Sequence, residues 1–579
     1  MASSGGTTSD AGPSSKCSVA TGSLGNENLA SEGEKREETE NALVSEKDDE
    51  KEAGSEEETD QPKDQDVDEY PKGLPLAFIV IALVMAIFLA SLDMTIVATA
   101  IPKITDEFHG LNDVSWYGAA FFMVNGGFQS SWGKAYKYFS LKWTFLACIF
   151  VFELGSLICA VAPSSIVLIV GRAITGLGAA GIGTGAYTII AFVAEPHKRP
   201  MFTGFVGMSF GIASAVGPLI GGAFSEHVSW RWCFYINLPV GGASALLILF
   251  LFKTPKGAQP VAASWKEKML QMDPLGIVMI MGAVVAYMLA LQYGGQTMPW
   301  KSSTVIGLLV GFVLIVIAFG IWETYQGERS MVVPRLFKQR PVGVSCVYTF
   351  FFAGSYYLVI YYLPIYFQSV HNVSPAMSGV DNLPLIVATS ISMILSGIFI
   401  SSTGIASPLK VCGAVIAVIA AGLLYTLDID TSTGKWIGYQ ILGGVGWGIA
   451  FQVPIIVGQS GAEPQDMSSI TAMVLFFQCL GGTAFVSAGQ SAFVNRLIGT
   501  VQTSAPGVDP AAVVATGATQ IRTAFAADQV PGLIVAYMAG IKVALAIPIG
   551  STGVALLVSM LSKWKRLNKE AVKEAGGAA

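Results

Sequence analysis

The sequence predicts an all-α membrane protein of about fourteen transmembrane helices, arranged as two six-helix bundles with two extra helices between them. Three observations support this fold class: a shortage of charge, a series of apolar runs of span length, and an internal repeat. Of the 579 residues, 52% are hydrophobic and only 13% are charged. Soluble globular proteins carry about 25% charged residues, so lipid is the expected solvent for most of this chain.

The charges are concentrated at the N-terminus. Residues 1–70 hold 20 of the 40 acidic residues and 6 of the 34 basic ones. Such a segment cannot bury enough apolar surface to offset the entropy of ordering it. It also lacks the apolar stretch of a signal peptide. We therefore expect residues 1–72 to form a disordered, acidic, cytosolic tail.

Fourteen apolar runs follow the tail, each near the length of about 20 residues that crosses a bilayer. They lie near 76–98, 114–132, 141–162, 166–192, 201–224, 233–252, 274–292, 303–323, 343–367, 378–400, 408–427, 436–459, 469–493 and 535–561. The loop at about 495–534 is long and partly helical in pattern, and the sequence leaves open whether it enters the membrane interface.

The distribution of Lys and Arg predicts the orientation. With residues 1–72 and the intramembrane Arg172 and Lys542 set aside, a cytosolic N-terminus places 19 basic residues in inside loops and 6 in outside loops. Basic residues favour the cytosolic side. Both termini are therefore predicted to be cytosolic, which requires an even number of spans.

An offset of 268 residues aligns two parts of the chain. Ala194-Glu195-Pro196 falls on Ala462-Glu463-Pro464, and Gly176-x-Gly178 falls on Gly444-x-Gly446. Parallel six-span repeats with a site between the halves are typical of one large transporter class. The predicted domains are two six-helix bundles, an inserted pair of spans with its linker, and a cytosolic C-tail. The two bundles cover 73–255 and 326–565. The inserted pair of spans covers 256–325, and the C-tail covers 566–579.

Two short motifs of soluble enzymes occur in the wrong context. Gly176-Leu-Gly178-Ala-Ala-Gly181 fits a dinucleotide fingerprint, and Gly207-x-Ser209-x-Gly211 fits a nucleophile elbow. Both lie inside apolar spans, without the strand that either site requires. There is also no phosphate-binding loop for ATP. We therefore expect no enzyme activity and no cofactor. The scattered Cys and His residues predict no metal site and no disulfide.

Three charged residues lie at membrane depth. Asp93 is late in span 1, Glu153 is near the middle of span 3, and Arg172 is in span 4. A charge within the bilayer costs several kcal/mol unless it is paired or hydrated, which makes each one a functional candidate. Together they could form a proton relay, and the alternative is a static ion pair that holds helices together.

Span 5 carries Ala213-x-x-x-Gly217-Pro218-x-x-Gly221-Gly222. Proline removes a backbone donor and bends a helix, and glycine permits close packing. The pattern favours a helix that pivots or seals a pathway, although a static kink would produce it as well.

At these residues the chain resembles the major facilitator superfamily, in particular the fungal fourteen-span drug:proton antiporters. The resemblance covers roughly 74–565. It is carried by Leu92–Pro102 in span 1, Gly171–Gly178 in span 4, the span-5 motif, Trp230–Pro239 and Tyr361–Gln368. The resemblance implies that Asp93 and Arg172 take part in proton coupling, and that Gly217, Pro218, Gly221 and Gly222 form an exporter motif.

The loop between spans 2 and 3 departs from the family pattern. It reads Gly133-Lys-Ala-Tyr-Lys137-Tyr-Phe-Ser-Leu-Lys142. Lys137 stands where the superfamily motif has Asp. Gly133 and Lys142 remain as candidates for a cytosolic gating loop, without the usual acidic residue.

The resemblance implies a major facilitator fold and a proton-coupled exporter of a toxin, secondary metabolite or drug. The alternatives are a proton-coupled importer, for example of siderophores, and a membrane sensor that transports nothing. The expected partners are the lipid bilayer, a small-molecule substrate and protons, with no nucleic acid. We expect a monomer in the plasma membrane, with a vacuolar or vesicle membrane as the alternative.

The substrate class is suggested only by aromatic residues in the spans. Tyr361 and Tyr362 are candidates for an aromatic-lined cavity, although aromatic residues also serve in ordinary packing. Gln440 is a third candidate, because it is a neutral residue that the 268-residue offset aligns with Arg172. Asn372-Val373-Ser374 is a formal glycosylation sequence in a predicted outside loop.

Overall fold

The computed structural model of the chain describes residues 70–108, 114–516, 518, 520–564 and 566–567. The predicted acidic tail before residue 70 and the C-tail beyond residue 567 lie outside the described residues.

The described part of the chain is built from α-helices joined by short turns. The first part contains α1 Leu74–Phe108, α2 Val114–Tyr138, α3 Leu141–Ala160, α4 Ser165–Val193, α5 Arg199–His227, α6 Trp232–Tyr235 and α7 Asn237–Leu251. The middle part contains α8 Trp265–Gln271, α9 Pro274–Tyr293, α10 Ser303–Gln326 and α11 Pro334–Phe337. The last part contains α12 Arg340–Ser369, α13 Pro375–Asp381, α14 Leu383–Thr403, α15 Ser407–Tyr425, α16 Thr433–Phe451, α17 Val453–Gln459, α18 Met467–Ser504, α19 Pro510–Ala515, α20 Ile521–Ala524 and α21 Val530–Met560.

Among the described residues, thirteen helical segments are long and apolar enough to cross a membrane. Helix α2 is not among them, because glycines, serines and Lys134 lower its hydropathy. It is nevertheless 25 residues long and packs between α4 and α18. With α2 included, the helices coincide with the fourteen predicted spans, which agrees with the predicted fold class.

The same helix pairing occurs twice along the chain. In the first half, α1 packs on α5 and α7, while α4 packs on α2 and α3. In the second half, α12 packs on α18 and α21, while α16 packs on α14 and α15. The correspondence extends to single contacts. In the first half, Arg172 Nε donates to the Tyr117 carbonyl. In the second half, Gln440 Oε1 accepts from the Leu385 N–H, and each of these residues lies 268 positions after its counterpart.

The two halves meet along two helix pairs, α5 with α14 and α2 with α18. Close approach is possible because small residues lie in these contacts: a side chain at Gly204 would meet the backbone of Met393 at 2.8 Å. The inserted helix α9 lies against both α2 and α18, and α10 packs on α9. Only 6% of the most apolar stretch of α10 is buried, which is the character expected of a lipid-facing helix.

The predicted inside loops gather at one end of the bundle. The Val261 N–H donates to the Lys137 carbonyl at 3.0 Å, and the Leu567 N–H donates to the Gly404 carbonyl at 2.8 Å. Arg340 Nε donates to the Leu561 carbonyl at 2.7 Å. We call this the basic end, and the other the opposite end.

Helix α18 is 38 residues long and ends at Ser504. Beyond it, α19 and α20 form a small cap in which Val513 and Ile521 are buried. Arg522 joins the cap to the end of α12 by donating to the Val370 carbonyl at 3.1 Å. The segment that the sequence left open is therefore a folded cap at the opposite end.

Candidate functional site

A buried ion pair joins α1 to α4 in the first half. Asp93 and Arg172 are both fully buried, and Arg172 Nη1 donates to Asp93 Oδ2. Arg172 Nη2 also reaches the Asp93 carbonyl at 3.4 Å. The structure thus brings together two of the three charged residues that the sequence singled out.

Aromatic rings and a backbone carbonyl enclose the guanidinium. Arg172 Nε donates to the Tyr117 carbonyl of α2 at 2.9 Å. The guanidinium carbon lies 4.6 Å from the ring centre of Phe121 and 5.9 Å from that of Phe234. A cation enclosed in this way is held by hydrogen bonds and ring faces instead of water.

A third polar residue, Asn237, completes the pair and was not singled out from the sequence. Its Nδ2 donates to Asp93 Oδ1 at 3.1 Å and to Ser156 Oγ at 3.0 Å. Asn237 is the first residue of α7 and is fully buried. The available signal was a polar residue at the start of an apolar span, within the stretch Trp230–Pro239.

Glu153 lies near this network without joining it. Neither of its carboxylate oxygens has a hydrogen-bond partner among the described residues. The carboxylate packs against Gly241 of α7, in the space that a side chain there would fill. Leu89 of α1 borders the same space beside Gly241, so Glu153 of α3 is an unpaired acid near α1 and α7.

The span-5 motif lies directly beside Asp93. A side chain at Gly217 would run into Thr95, with the Thr95 Cβ at 3.1 Å and the Ile96 nitrogen at 3.3 Å. Thr95 Oγ1 also donates to the Ala213 carbonyl at 3.4 Å. Pro218 lies inside α5, where it removes one helical hydrogen bond. The motif therefore sets the approach of α5 to α1.

The other two glycines of this motif differ in their surroundings. Gly221 is buried, and its carbonyl faces the Cys233 thiol, with the sulfur at 3.9 Å. A side chain at Gly222 would meet nothing within 4 Å. Close packing therefore requires a glycine at Gly217 but not at Gly222.

The last turns of α2, which the sequence analysis assigned to the loop between spans 2 and 3, form part of a contact between the halves at the basic end. Lys137 Nζ lies 3.1 Å from Asp466 Oδ1, and Asp466 immediately precedes α18. A side chain at Gly133 would run into Ala472 and into the Ser468 carbonyl at 3.0 Å. We call the Lys137–Asp466 contact, together with Arg335, the basic-end latch.

Arg335 brings the inserted segment into this latch. Its Nη2 lies 2.9 Å from Asp466 Oδ2, and its Nε lies 2.8 Å from Glu328 Oε1. Hydrogen bonds from Arg335 to Glu328 and Asp466 raise the pKa of the guanidinium. Lys134 of α2 donates to the Glu328 carbonyl and, at 3.3 Å, to Gln271 Oε1.

Lys142 does not belong to the latch. Its Nζ donates to the Leu249 carbonyl near the C-terminus of α7 at 2.6 Å, which keeps the contact within the first half. Lys410, at the same position in the second half, is fully buried in α15, and its Nζ has no hydrogen-bond partner among the described residues.

Of the three residues suggested for the substrate cavity, Tyr361 and Tyr362 are neighbours on α12, and Gln440 lies on α16. Tyr361 of α12 is 55% exposed, and its ring centre lies 6.0 Å from that of Tyr362. Tyr362 is fully buried and donates to Gln490 Oε1 at 3.0 Å. Gln440 is fully buried, with its Nε2 donating to the Asp381 carbonyl at 3.0 Å. Gln440 therefore ties α16 to the end of α13.

A different set of side chains lines the contact between the halves. Gln452 Nε2 donates to the Tyr187 hydroxyl at 3.0 Å, and the ring centres of Phe210 and Tyr357 are 5.8 Å apart. We call this set the inter-half cluster, and it comprises Gln129, Thr184, Tyr187, Phe210, Tyr357, Gln452 and Gln478.

Hydrogen bonds link further pairs within this cluster. Gln129 Nε2 donates to Thr184 Oγ1 at 3.0 Å, and Gln478 Nε2 donates to the Tyr357 hydroxyl at 3.2 Å. The amide oxygens of Gln129 and Gln452 are buried without a partner among the described residues. The cluster therefore combines aromatic surface, unused hydrogen-bonding capacity and no formal charge, features that suit a neutral organic ligand.

Asn372 is exposed at the opposite end, in a left-handed backbone conformation with φ 57°. Ser374, the third residue of the glycosylation sequence, caps α13 by accepting from the Met377 N–H at 3.2 Å. Glycosylation there remains a prediction. Within the described residues, no group of three or more His, Cys, Asp or Glu side chains could hold a metal ion.

Comparisons with known proteins identify a family and several relatives. The family model described as "Major Facilitator Superfamily" matches residues 83–486. The chain is 57% identical to "MFS-type transporter grgE" of a Penicillium species over 512 residues, covering 88% of this chain and 90% of that protein. It is 52% identical to "Probable efflux pump gsfJ" of Penicillium aethiopicum over 511 residues, covering 88% and 91%.

The fold also matches solved structures. The proton:xylose symporter XylE, bound to 6-bromo-6-deoxy-D-glucose, aligns with a TM-score of 0.56 and 13% sequence identity. The alignment covers 85% of this chain and 97% of that chain. At this identity the likeness concerns the fold alone.

Proposed function

Because the chain belongs to the major facilitator superfamily, and is therefore a multi-pass membrane transporter and not an enzyme, we propose that it exports a small organic molecule in exchange for protons. The observation that carries this proposal is the buried Asp93–Arg172 pair. A fully buried ion pair is stable only while both partners are charged. A proton on Asp93 would leave Arg172 unmatched, so proton binding would change the packing of α1 against α4.

The direction of transport is supported by two observations. Gly217 and Pro218 place α5 against α1 beside Asp93, within the motif that resembles those of exporters. Relatives of similar length include proteins named as efflux pumps. We propose that protons enter from the opposite end, and that the substrate leaves from the basic end toward it.

Alternating access is supported by the contacts between the halves. The latch and Gly133 join the halves at the basic end, so the described state is closed there. Proton binding at Asp93 lies entirely within the first half. We propose that it shifts the balance between this state and one in which the latch is broken, with the chain acting as a monomer in the plasma membrane.

The inter-half cluster supports a neutral, largely aromatic substrate. Each of its amide oxygens without a partner could accept a hydroxyl of the ligand, and Phe210 and Tyr357 offer ring faces. Exchange of one proton for a neutral molecule moves net charge. A membrane potential of 100 mV would then contribute about 2.3 kcal/mol per cycle.

The test uses purified protein in vesicles. Yeast expressing the chain is first screened with neutral aromatic compounds, and the compound whose cellular content differs most, in either direction, from that of cells without the chain becomes the probe. Asp93→Asn keeps the size of the side chain but cannot take up a proton. Proton-driven movement of the probe should fall at least tenfold, while probe binding persists.

Asp430→Asn, at an exposed site, serves as the matched control. Normal gradient-driven transport by the Asp93→Asn variant would refute the assignment of Asp93. Faster probe entry into cells that carry the chain would show import instead.

A further inference from the structure

Asn237 is attached to the ion pair by only one end of its amide. Its Nδ2 is shared between Asp93 Oδ1 and Ser156 Oγ. Its Oδ1 is buried with no partner among the described residues. A buried amide oxygen without a partner costs free energy, so a second arrangement that satisfies this oxygen would be favoured.

The two oxygens of Asp93 have different partners. Oδ2 accepts from Arg172 and Oδ1 accepts from Asn237, so an ionised Asp93 faces a donor at each oxygen. A proton on Oδ1 would turn that oxygen into a hydrogen-bond donor. Two donors, this O–H and the N–H of Asn237, would then oppose each other. Rotation of the amide by half a turn would replace this clash with an acceptor, the Asn237 oxygen.

Asn237 also connects the pair to the unpaired Glu153. Ser156, the second acceptor of Nδ2, lies about one turn from Glu153 along α3. Gly241, on which the Glu153 carboxylate packs, lies about one turn from Asn237 along α7. The amide is therefore adjacent, along both helices, to the second acid of this half.

We propose that Asn237 is a positioning residue that responds to the protonation state of Asp93. It donates to the ionised carboxylate through Nδ2 and, after rotating, accepts from the protonated carboxyl through Oδ1. This inference rests on the proposed proton coupling at Asp93. The rotation also changes the bond to Ser156, which passes the change from α1 to α3 and α7.

Other titratable groups face Asp93 from the helices around it. They are Arg172 from α4, Glu153 and Cys159 from α3, and Cys233 from α6. Helix α2 contributes the Tyr117 carbonyl to Arg172, and α5 presents Ala213 and Gly217 to this stretch of α1. The variants below leave all of these groups in place.

The test is an infrared titration of the purified full-length protein, with the proton as the only ligand. The carboxyl band of Asp93 is assigned by its loss in the Asp93→Asn variant. In Asn237→Ala, this band should move to the frequency of a carboxyl with one fewer hydrogen bond. Its pH midpoint should also rise by about one unit, because a bond to a charged acceptor is stronger than one to a neutral partner.

Two further variants separate this role from packing. Asn237→Ser keeps a group that both donates and accepts, and should restore part of both shifts. Ser244→Ala lies on the same helix and removes a buried bond to the Ala82 carbonyl of α1, away from Asp93. It should change neither the band nor its midpoint.

If Asn237→Ala resembles Ser244→Ala in both readouts, the inference is wrong. If instead Asp93→Asn transports normally, the proposed function fails, while the infrared result still tests the contact itself. The two failures are therefore distinguishable.

Discussion

At the scale of single residues, all three guanidinium nitrogens of Arg172 donate within the first half. They bind the Asp93 carboxylate, the Asp93 carbonyl and the Tyr117 carbonyl. This fork connects α1, α2 and α4 through a single side chain. A lysine carries the same charge on a single ammonium group. It cannot donate to three acceptors at the fixed angles of the guanidinium.

Arg172→Lys should therefore impair transport although it conserves charge. It removes at least one bond to a buried acceptor, worth about 1.5–3 kcal/mol, so proton-driven transport should fall tenfold or more. The measurement is the initial rate in vesicles at equal protein density. Arg496→Lys, at an exposed site, is the control, and equal rates for both variants would contradict the argument.

Single residues also show where sequence reasoning stops. Asp93 and Arg172 were predictable because a charge in an apolar run is conspicuous at any position. Asn237 was less conspicuous because an uncharged amide near a span end is common. Tyr361 and Tyr362 were indistinguishable in the sequence, yet neighbours on a helix point about 100° apart. One is exposed and the other is buried.

At the scale of helices, function depends on how closely two of them approach. Glycine in the middle of a helix is costly for stability, so its presence at a contact indicates that space is needed. Gly217 provides that space between α5 and α1, and Gly133 provides it between α2 and α18. The first contact lies within one half and the second lies between halves.

Gly217→Ala should push α5 away from α1 beside Asp93, because the added carbon meets Thr95. Gly222→Ala has open space and should be tolerated despite lying in the same motif. We expect a loss of about tenfold in proton-driven transport for the first, in line with about 1–3 kcal/mol for overpacking. Equal effects of the two variants would show that the motif acts through helix flexibility instead.

Gly133→Ala should separate the halves at the basic end. The added carbon meets Ala472 of α18, whereas Gly118→Ala in the same helix meets nothing within 4 Å. Spin labels at the exposed His197 and Ser402, in a background with Cys17, Cys412 and Cys479 replaced by Ser, report the distance between the halves. The first variant should increase the long-distance population, and an unchanged distribution would count against a closed basic end.

The spans themselves could be predicted because each is long, apolar and bounded by polar residues. The latch could not, because Lys137 and Asp466 are 329 residues apart and no periodic pattern relates them. The loop motif only showed that a basic residue had replaced an acidic one. Its partner became apparent once the start of α18 was placed beside the end of α2.

At the scale of the whole molecule, the inserted helices are part of the contact between the halves. Glu328 lies just after α10 and Arg335 lies in α11, and they join Asp466 of the second half to Lys134 and Lys137 of the first. The insertion therefore does more than lengthen the chain: its linker helps to close the basic end.

A charge-reversal series tests the latch. Lys137→Asp places two carboxylates next to each other. It should therefore raise the population of the state with an open basic end tenfold or more. Adding Asp466→Lys restores attraction at this contact but faces Arg335, so recovery should be partial. Further addition of Arg335→Gln should complete it. The same spin-label distance is measured, and no recovery along the series would show that the pair does not hold the halves together.

The length of α18 has a mechanical consequence. Its 38 residues extend about 57 Å, nearly twice the thickness of the hydrocarbon core. One end of α18 carries Ser468 beside the latch, and the other carries Ser504, which precedes the cap and donates to the Gly532 carbonyl of α21. Gly481 rests on the backbone of Phe350 between them. Because α18 is one continuous helix, a displacement of its end beside the latch is expected to move its other end as well. A molecule that binds the cap from outside would therefore restrain movement at the basic end of the bundle without contacting that end.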